Sequence, residues 1–428
     1  MPPPLDQRTQ PPRRGLANTL RHLGPGLVTG AADDDPSGVA TYSAAGAQFG
    51  FGLLWTAPLI LPLMAAIQYM CARIGMVSGM GLAAVLRQYY PRWVLWMSCG
   101  LLLVANTVNI GADLGAMAAV AQMLTGVPSA VFAPAFAALI LALLVFASYR
   151  VMARVFKWLT LALFAYVGAA FLARPDWGEV LRSTVVPSLA WERGTVLTLV
   201  AILGTTISPY LFFWQADEEV EEEKALGRVR VADRRGATPR AMRAARFDVL
   251  AGMTISVVIF YFIVLTTGAT LHAAGHTTIQ TAEEAAQALR PIAGSAASLL
   301  FSLGIVGTGM LGVPVLAGSA ALAVAEAEAW NAGMSEKPNR AARFYGVMAL
   351  SLLAGMVMLG SGIPAIRMLF WAAVVNGLLA PPLIAVILVV CNDRRVMGEW
   401  RNGRVLNVLG GVAGIAMAAA AVTLVILS

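Results

Sequence analysis

Gly30-Ala-Ala-Asp-Asp-Asp-Pro-Ser-Gly38 interrupts an apolar run that extends from about residue 24 to residue 47. Three adjacent carboxylates and a proline are out of place in the middle of a helix that crosses hydrocarbon. Proline removes an amide donor and clashes with the preceding turn, and glycine tolerates irregular backbone. In a bilayer, freed carbonyls must find partners, so a broken helix persists only against protein or a hydrated cavity. A second stretch of the same kind, Gly204-Thr-Thr-Ile-Ser-Pro-Tyr210, interrupts the apolar run from about 194 to 215.

The surrounding composition supports a membrane setting. Of the 428 residues, 58% are hydrophobic and only 12% charged, against roughly a quarter charged in soluble domains. Eleven apolar blocks are predicted, near 24–47, 51–72, 94–123, 129–148, 151–173, 194–215, 247–271, 293–328, 343–360, 366–391 and 404–427. Each is long enough to approach or cross a hydrocarbon core of about 30 Å. With the N-terminus inside, 25 of the 30 basic residues fall on the inner side, including Arg73, Lys224 through Arg246, and Arg394 through Arg404. Only Arg174, Arg182, Arg193, Arg290 and Arg367 fall outside. This bias predicts a cytoplasmic N-terminus and an outer C-terminus, in a bacterial inner (plasma) membrane. The net charge of +7 therefore reflects topology, and nothing here points to nucleic acid.

The two interrupted blocks are the first and the sixth, equivalent members of two five-helix halves. Broken helices at matching places in two halves point to an inverted-repeat transporter with its site near the bilayer midplane. The expected fold is an all-α membrane protein of eleven transmembrane helices, a 5+5 inverted repeat plus one extra helix. Its expected organisation is a cytosolic tail over 1–23 and a single transmembrane domain over 24–428. Repeat one spans about 24–173, repeat two about 194–391, and the extra helix about 404–427.

Charge within a membrane is costly and defaults to a functional reading. The mid-span carboxylates are Asp33, Asp34, Asp35 and Asp113. Successive helical residues turn by about 100°, so three adjacent aspartates cannot share one cavity from a regular helix. Unwinding at Asp35-Pro36 would aim at least one inward beside exposed carbonyls. With the hydroxyls of Ser37, Thr205, Thr206 and Ser208 this makes an all-oxygen cage of the type hard divalent cations prefer. A helix-capping role for Asp35 at Pro36 is compatible with the same geometry. No nucleophile–base pair or zinc-binding spacing supports an enzyme. Cys71, Cys99 and Cys391 read as packing residues, and no obligatory protein partner or resident cofactor is expected. The acidic run Asp217 to Glu223, followed by a basic stretch to Arg246, reads as a solvated linker. His272 and His276 read as surface residues of an outer loop.

Gly24-Pro-Gly26, Asp35-Pro36-Ser37-Gly38, Ser208-Pro209-Tyr210 and Asn376-Gly-Leu-Leu-Ala-Pro381 together resemble the NRAMP divalent-metal transporters, over nearly the whole chain. The resemblance implies the architecture of the amino-acid–sodium symporters (LeuT) and a metal held between the first and sixth helices. It places the family's aspartate at Asp35, its asparagine at Gly38, its sixth-helix methionine at Ser208 and its histidine at Tyr210. Thr205 and Ala32 fall where backbone carbonyls contribute, and Asn376 where a polar side chain enters from the tenth helix. Serine in place of a soft thioether removes a bias toward manganese, iron or cadmium. Loss of the asparagine leaves room for water, which magnesium tends to keep. Asp33 and Asp34 add local negative charge. The pattern looks like the divergent, NRAMP-related magnesium transporters.

The expectation is a secondary transporter bringing Mg2+ and/or Mn2+ into the cytoplasm by alternating access. No histidine lies in any block and Asp113 is the one carboxylate of the third, so proton coupling is expected to be weak or absent. Asp113 is then either a packing residue or a vestigial relay. The alternatives are a proton-coupled Mn2+/Fe2+ importer and a sodium-coupled symporter of a small organic solute.

Overall fold

A computed structural model describes residues 24–146, 161–188, 192–334, 336, 338–360 and 362–427. The expected tail and residues 151–160 of the fifth block lie outside the described residues. The described chain is helical, with no β-strand among these residues. The broken first block gives α1 (Pro25–Asp33) and α2 (Pro36–Phe49). Next come α3 (Thr56–Ser78), the short α4 (Leu82–Tyr89), α5 (Arg92–Thr125) and α6 (Ser129–Phe146). The described end of the fifth block includes α7 (Ala165–Leu172), followed by the short α8 (Trp177–Val185). The broken sixth block gives α9 (Arg193–Thr206) and α10 (Pro209–Ala225). The chain then continues through α11 (Pro239–Thr267), α12 (Ala297–Ala327), α13 (Ala342–Leu359), α14 (Ala365–Asn392) and α15 (Arg404–Leu427).

Among the described residues, nine helical segments are long and apolar enough to cross a membrane. They correspond to the predicted blocks other than the first, whose two halves are each too short, and the fifth, which is described only in part.

Helices in lipid gain little from hydrophobic association, so close packing of small residues has to hold them together. The seam between α1 and α11 shows how. A Cβ on Gly30 would lie 2.4 Å from the Gly252 carbonyl, and one on Gly26 would lie 2.5 Å from the Val249 amide nitrogen. At the end of this seam the Gly26 amide donates to Asp248 Oδ2 at 2.6 Å. Here a carboxylate satisfies one of the orphan donors at a helix N-terminus. Gly75 and Gly111 likewise pack against the Ala216 and Gly355 carbonyls.

The acidic run departs from its reading as a solvated linker. Helix α10 continues to Ala225 and buries Asp217 and Glu219. Glutamate, lysine and alanine are good helix formers, and the half-helix that starts at Pro209 has no breaker before Gly227. Asp217 packs against the chain around Gly81 and Glu219 against Gly75 of α3, on different sides of the helix. Composition alone could not distinguish these two positions from the rest of the charged run. Cys71, Cys99 and Cys391 are buried free thiols, in line with packing roles.

Candidate metal site

Both interruptions have one construction. Helix α1 ends at Asp33, Asp34 leaves helical geometry (φ −85°, ψ 48°), and Asp35 is extended (φ −67°, ψ 171°) before Pro36 opens α2. Helix α9 ends at Thr206, Ile207 departs (φ −118°, ψ 62°), and Ser208 is extended (φ −81°, ψ 135°) before Pro209 opens α10. Proline suits the first position of each second half because its missing N–H would be an orphan there anyway. Each break thus presents the carbonyl-bearing, electronegative end of one half-helix and the amide-bearing end of the next.

Asp35 caps α2, one of the two roles expected of it in sequence. Its Oδ1 accepts from the Gly38 amide at 2.9 Å and from the Ser37 hydroxyl at 2.7 Å, capping α2. Its Oδ2 faces across to α10, where the Tyr210 hydroxyl is 3.3 Å away. The same hydroxyl lies 2.9 Å from the Ala32 carbonyl at the end of α1. The Ser37 and Thr205 hydroxyls approach to 3.4 Å, joining the two breaks at a second point. Asp35, Ala32, Ser37, Gly38, Thr205 and Tyr210 therefore form one cluster, and Asp35 is only 2% exposed. Gly38 fits tightly, since a Cβ there would lie 3.3–3.4 Å from Tyr42, the Asp33 carbonyl and the Thr205 hydroxyl.

Other expected residues are placed differently. The Ser208 hydroxyl donates back to the Gly204 and Thr205 carbonyls, at 2.9 and 2.8 Å. Thr206 bonds in the same way to the Ile202 carbonyl at 2.7 Å. Each hydroxyl has one hydrogen, and the orphan carbonyls ending α9 take it. Asp33 and Asp34 turn toward α11, where the single Ser256 hydroxyl is 2.5 Å from Asp33 Oδ2 and 3.2 Å from Asp34 Oδ1. Asn376 on α14 accepts from Asn109 of α5 at 2.9 Å. Asp113, also on α5, lies beside Asp35, with the Ser37 amide close to both carboxyls. Gly312 on α12 packs against the same two residues.

Sequence reasoning did not find Ser256 as the partner of the two flanking aspartates. Its signal was a small polar residue deep within the apolar part of α11, shared with Thr254 two residues away.

The four aspartates are buried, and none forms a salt bridge among the described residues. A buried carboxylate without a counter-charge is strongly disfavoured, so such a group takes a proton or a cation. No three His, Cys, Asp or Glu side chains among the described residues are grouped closely enough to enclose a metal by themselves. A cation at Asp35 would therefore draw on carbonyl and hydroxyl oxygens, or on water, for most of its shell. That donor set suits a hard ion.

Comparison with known proteins gives a consistent outcome. The family model described as "Natural resistance-associated macrophage protein-like" (Nramp) matches residues 26–427. The chain is 31% identical to the divalent metal cation transporter MntH of Deinococcus radiodurans over 309 residues, covering 69% of this chain and 67% of that protein. It is 25% identical to MntH of Yersinia enterocolitica over 419 residues, covering 94% and 93% of the two chains. The crystal structure of the Eremococcus coleocola manganese transporter has the same fold, with a TM-score of 0.75 and 17% identity over 98% of this chain and 88% of the other.

Proposed function

The chain belongs to the Nramp family, and on that premise we propose that it is a secondary transporter carrying Mg2+ and/or Mn2+ into the cytoplasm by alternating access. The observation that carries the reading is the Asp35 carboxylate, shared between the broken ends of two helices. One of its oxygens is fixed by the cap of α2, while the other faces Tyr210 and the Ala32 carbonyl. A cation there neutralises buried negative charge, which lowers the cost of closing the pocket from either side. Ala32, Ser37, Gly38, Thr205 and Tyr210 line the pocket. Asp33 and Asp34 supply field from behind Ser256, and Ser208 and Thr206 hold the end of α9. Asn376 stiffens the wall through Asn109. The oxygen donor set, without a thioether, favours a hard ion that keeps part of its water, as magnesium does.

The test is uptake into proteoliposomes across magnesium, manganese, calcium and cadmium. Magnesium or manganese uptake that disappears in Asp35→Ala, with the folded variant still monodisperse in detergent, is the expected result. Cadmium transport without magnesium transport would overturn the magnesium reading, and unchanged transport in Asp35→Ala would remove Asp35 from the site.

A proton-coupled manganese or iron importer is favoured by one observation, the placement of Asp113 beside Asp35. Two carboxyls in that relation can exchange a proton for a metal ion. The primary reading expects little metal-driven acidification of vesicles. Strong acidification abolished by Asp113→Asn would establish the coupled reading instead.

A further inference from the structure

A second buried acidic pair lies away from the helix breaks. Asp217 on α10 is nine residues beyond Ser208, about 13 Å along the half-helix at 1.5 Å per residue. Glu326 comes from the far end of α12. The two carboxylates converge on Gly81, at the start of α4. The position a Cβ would take there is 1.8 Å from Asp217 Oδ1 and 2.3 and 2.5 Å from the two Glu326 oxygens. Glycine is required for space alone, because its backbone (φ −68°, ψ 170°) is open to any residue.

The two acids are held differently. Glu326 accepts from the Gly81 amide at 3.1 Å and the Ala84 amide at 3.0 Å, which fixes it at the N-terminus of α4. Asp217 is 97% buried by its 3% exposure, and neither of its oxygens has a hydrogen-bond partner among the described residues. The other charged or titratable groups within electrostatic reach of the pair are Cys99 of α5, Arg87 of α4, Glu218, Glu221 and Lys224 of α10, and the buried Arg234, whose guanidinium is held by the Gly79 and Val229 carbonyls. Lys224 is itself engaged by Glu221 at 2.6 Å. No salt bridge reaches Asp217 or Glu326 among the described residues.

We propose that Asp217 and Glu326 form a second divalent-cation site, a station on the cytoplasmic side of the mid-membrane pocket. Two carboxylates with water completing the shell is the usual protein complement for magnesium. The preset Glu326 and the unpartnered Asp217 supply those two ligands from different helices. An ion leaving Asp35 along α10 meets this pair before it reaches the basic segment beyond Lys224. The assignment rests on the reading of the chain as a cation carrier.

The experiment is Mn2+ binding to the purified, chelator-stripped full chain, with stoichiometry read by equilibrium dialysis and electron paramagnetic resonance, and thermal melting recorded in parallel. Two ions per chain are expected, one lost in Asp35→Asn and the other lost in Asp217→Asn/Glu326→Gln. Gly81→Ala fills the cradle and is expected to weaken only the second site, by about 10- to 100-fold. Anomalous diffraction from manganese-soaked wild-type crystals locates the second ion without any variant. A single ion per chain, lost in Asp35→Asn and retained in the double variant, overturns the station and leaves the transport reading intact. Two ions that both survive Asp35→Asn overturn the mid-membrane site instead.

Discussion

At the scale of single residues, Tyr210 is the most informative side chain. Its hydroxyl spans the two breaks, lying near both the Ala32 carbonyl and Asp35 Oδ2. Removing it in Tyr210→Phe deletes a contact worth about 1 kcal/mol, so metal affinity should fall about fivefold. Isothermal titration with Mn2+ measures this, and equal or tighter binding would exclude the hydroxyl from positioning the site. Asp35 was legible in the sequence because a carboxylate followed by proline in an apolar run has few bland explanations. The orientations of Ser208 and Thr206 were not legible. A hydroxyl in a broken helix can face a cavity or its own orphan carbonyls, and only the local backbone decides between them. Likewise, no spacing rule pairs Ser256 with Asp33 and Asp34, or Asn109 with Asn376, because these partners meet across more than 140 residues of chain.

At the scale of elements, the breaks were predictable and the packing that supports them was not. Proline and glycine identify where α1 gives way to α2 and α9 to α10. The contact of α1 with α11 depends on Gly26, Gly30 and Gly252 meeting backbone to backbone. A methyl group at Gly30 has no free volume, so Gly30→Ala should destabilise the protein by about 1–3 kcal/mol through overpacking. Thermal melting in detergent checks this against Gly411→Ala, where a Cβ meets nothing within 4 Å. Equal melting of the two variants would mean that the seam yields. The acidic run of α10 shows the limit of reading composition. Seven residues rich in glutamate look solvated as a set, yet Asp217 and Glu219 are both buried, on different sides of the helix.

At the scale of the whole molecule, the distribution of basic residues leads us to propose a cytoplasmic N-terminus. Because the native thiols are buried, single cysteines at exposed positions report sidedness cleanly. Leu181 and Leu226 are 66% and 68% exposed on segments assigned to opposite sides. A membrane-impermeant maleimide should label Leu181→Cys in intact cells and Leu226→Cys only after permeabilisation; the reverse pattern would invert the topology. The paired prolines have a mechanical consequence for a molecule arranged this way. Within the two broken blocks the helical backbone is interrupted at Asp34–Asp35 and Ile207–Ser208, so in the proposed alternating-access cycle each second half-helix would swing as a stiff arm from a two-residue joint. An arm the length of α10 is about 25 Å long, and a tilt of about 10° would carry its tip some 4 Å and its midpoint about 2 Å. That midpoint is Asp217, so in such a cycle a small pivot at Ser208 would be geared directly to the distance between Asp217 and Glu326.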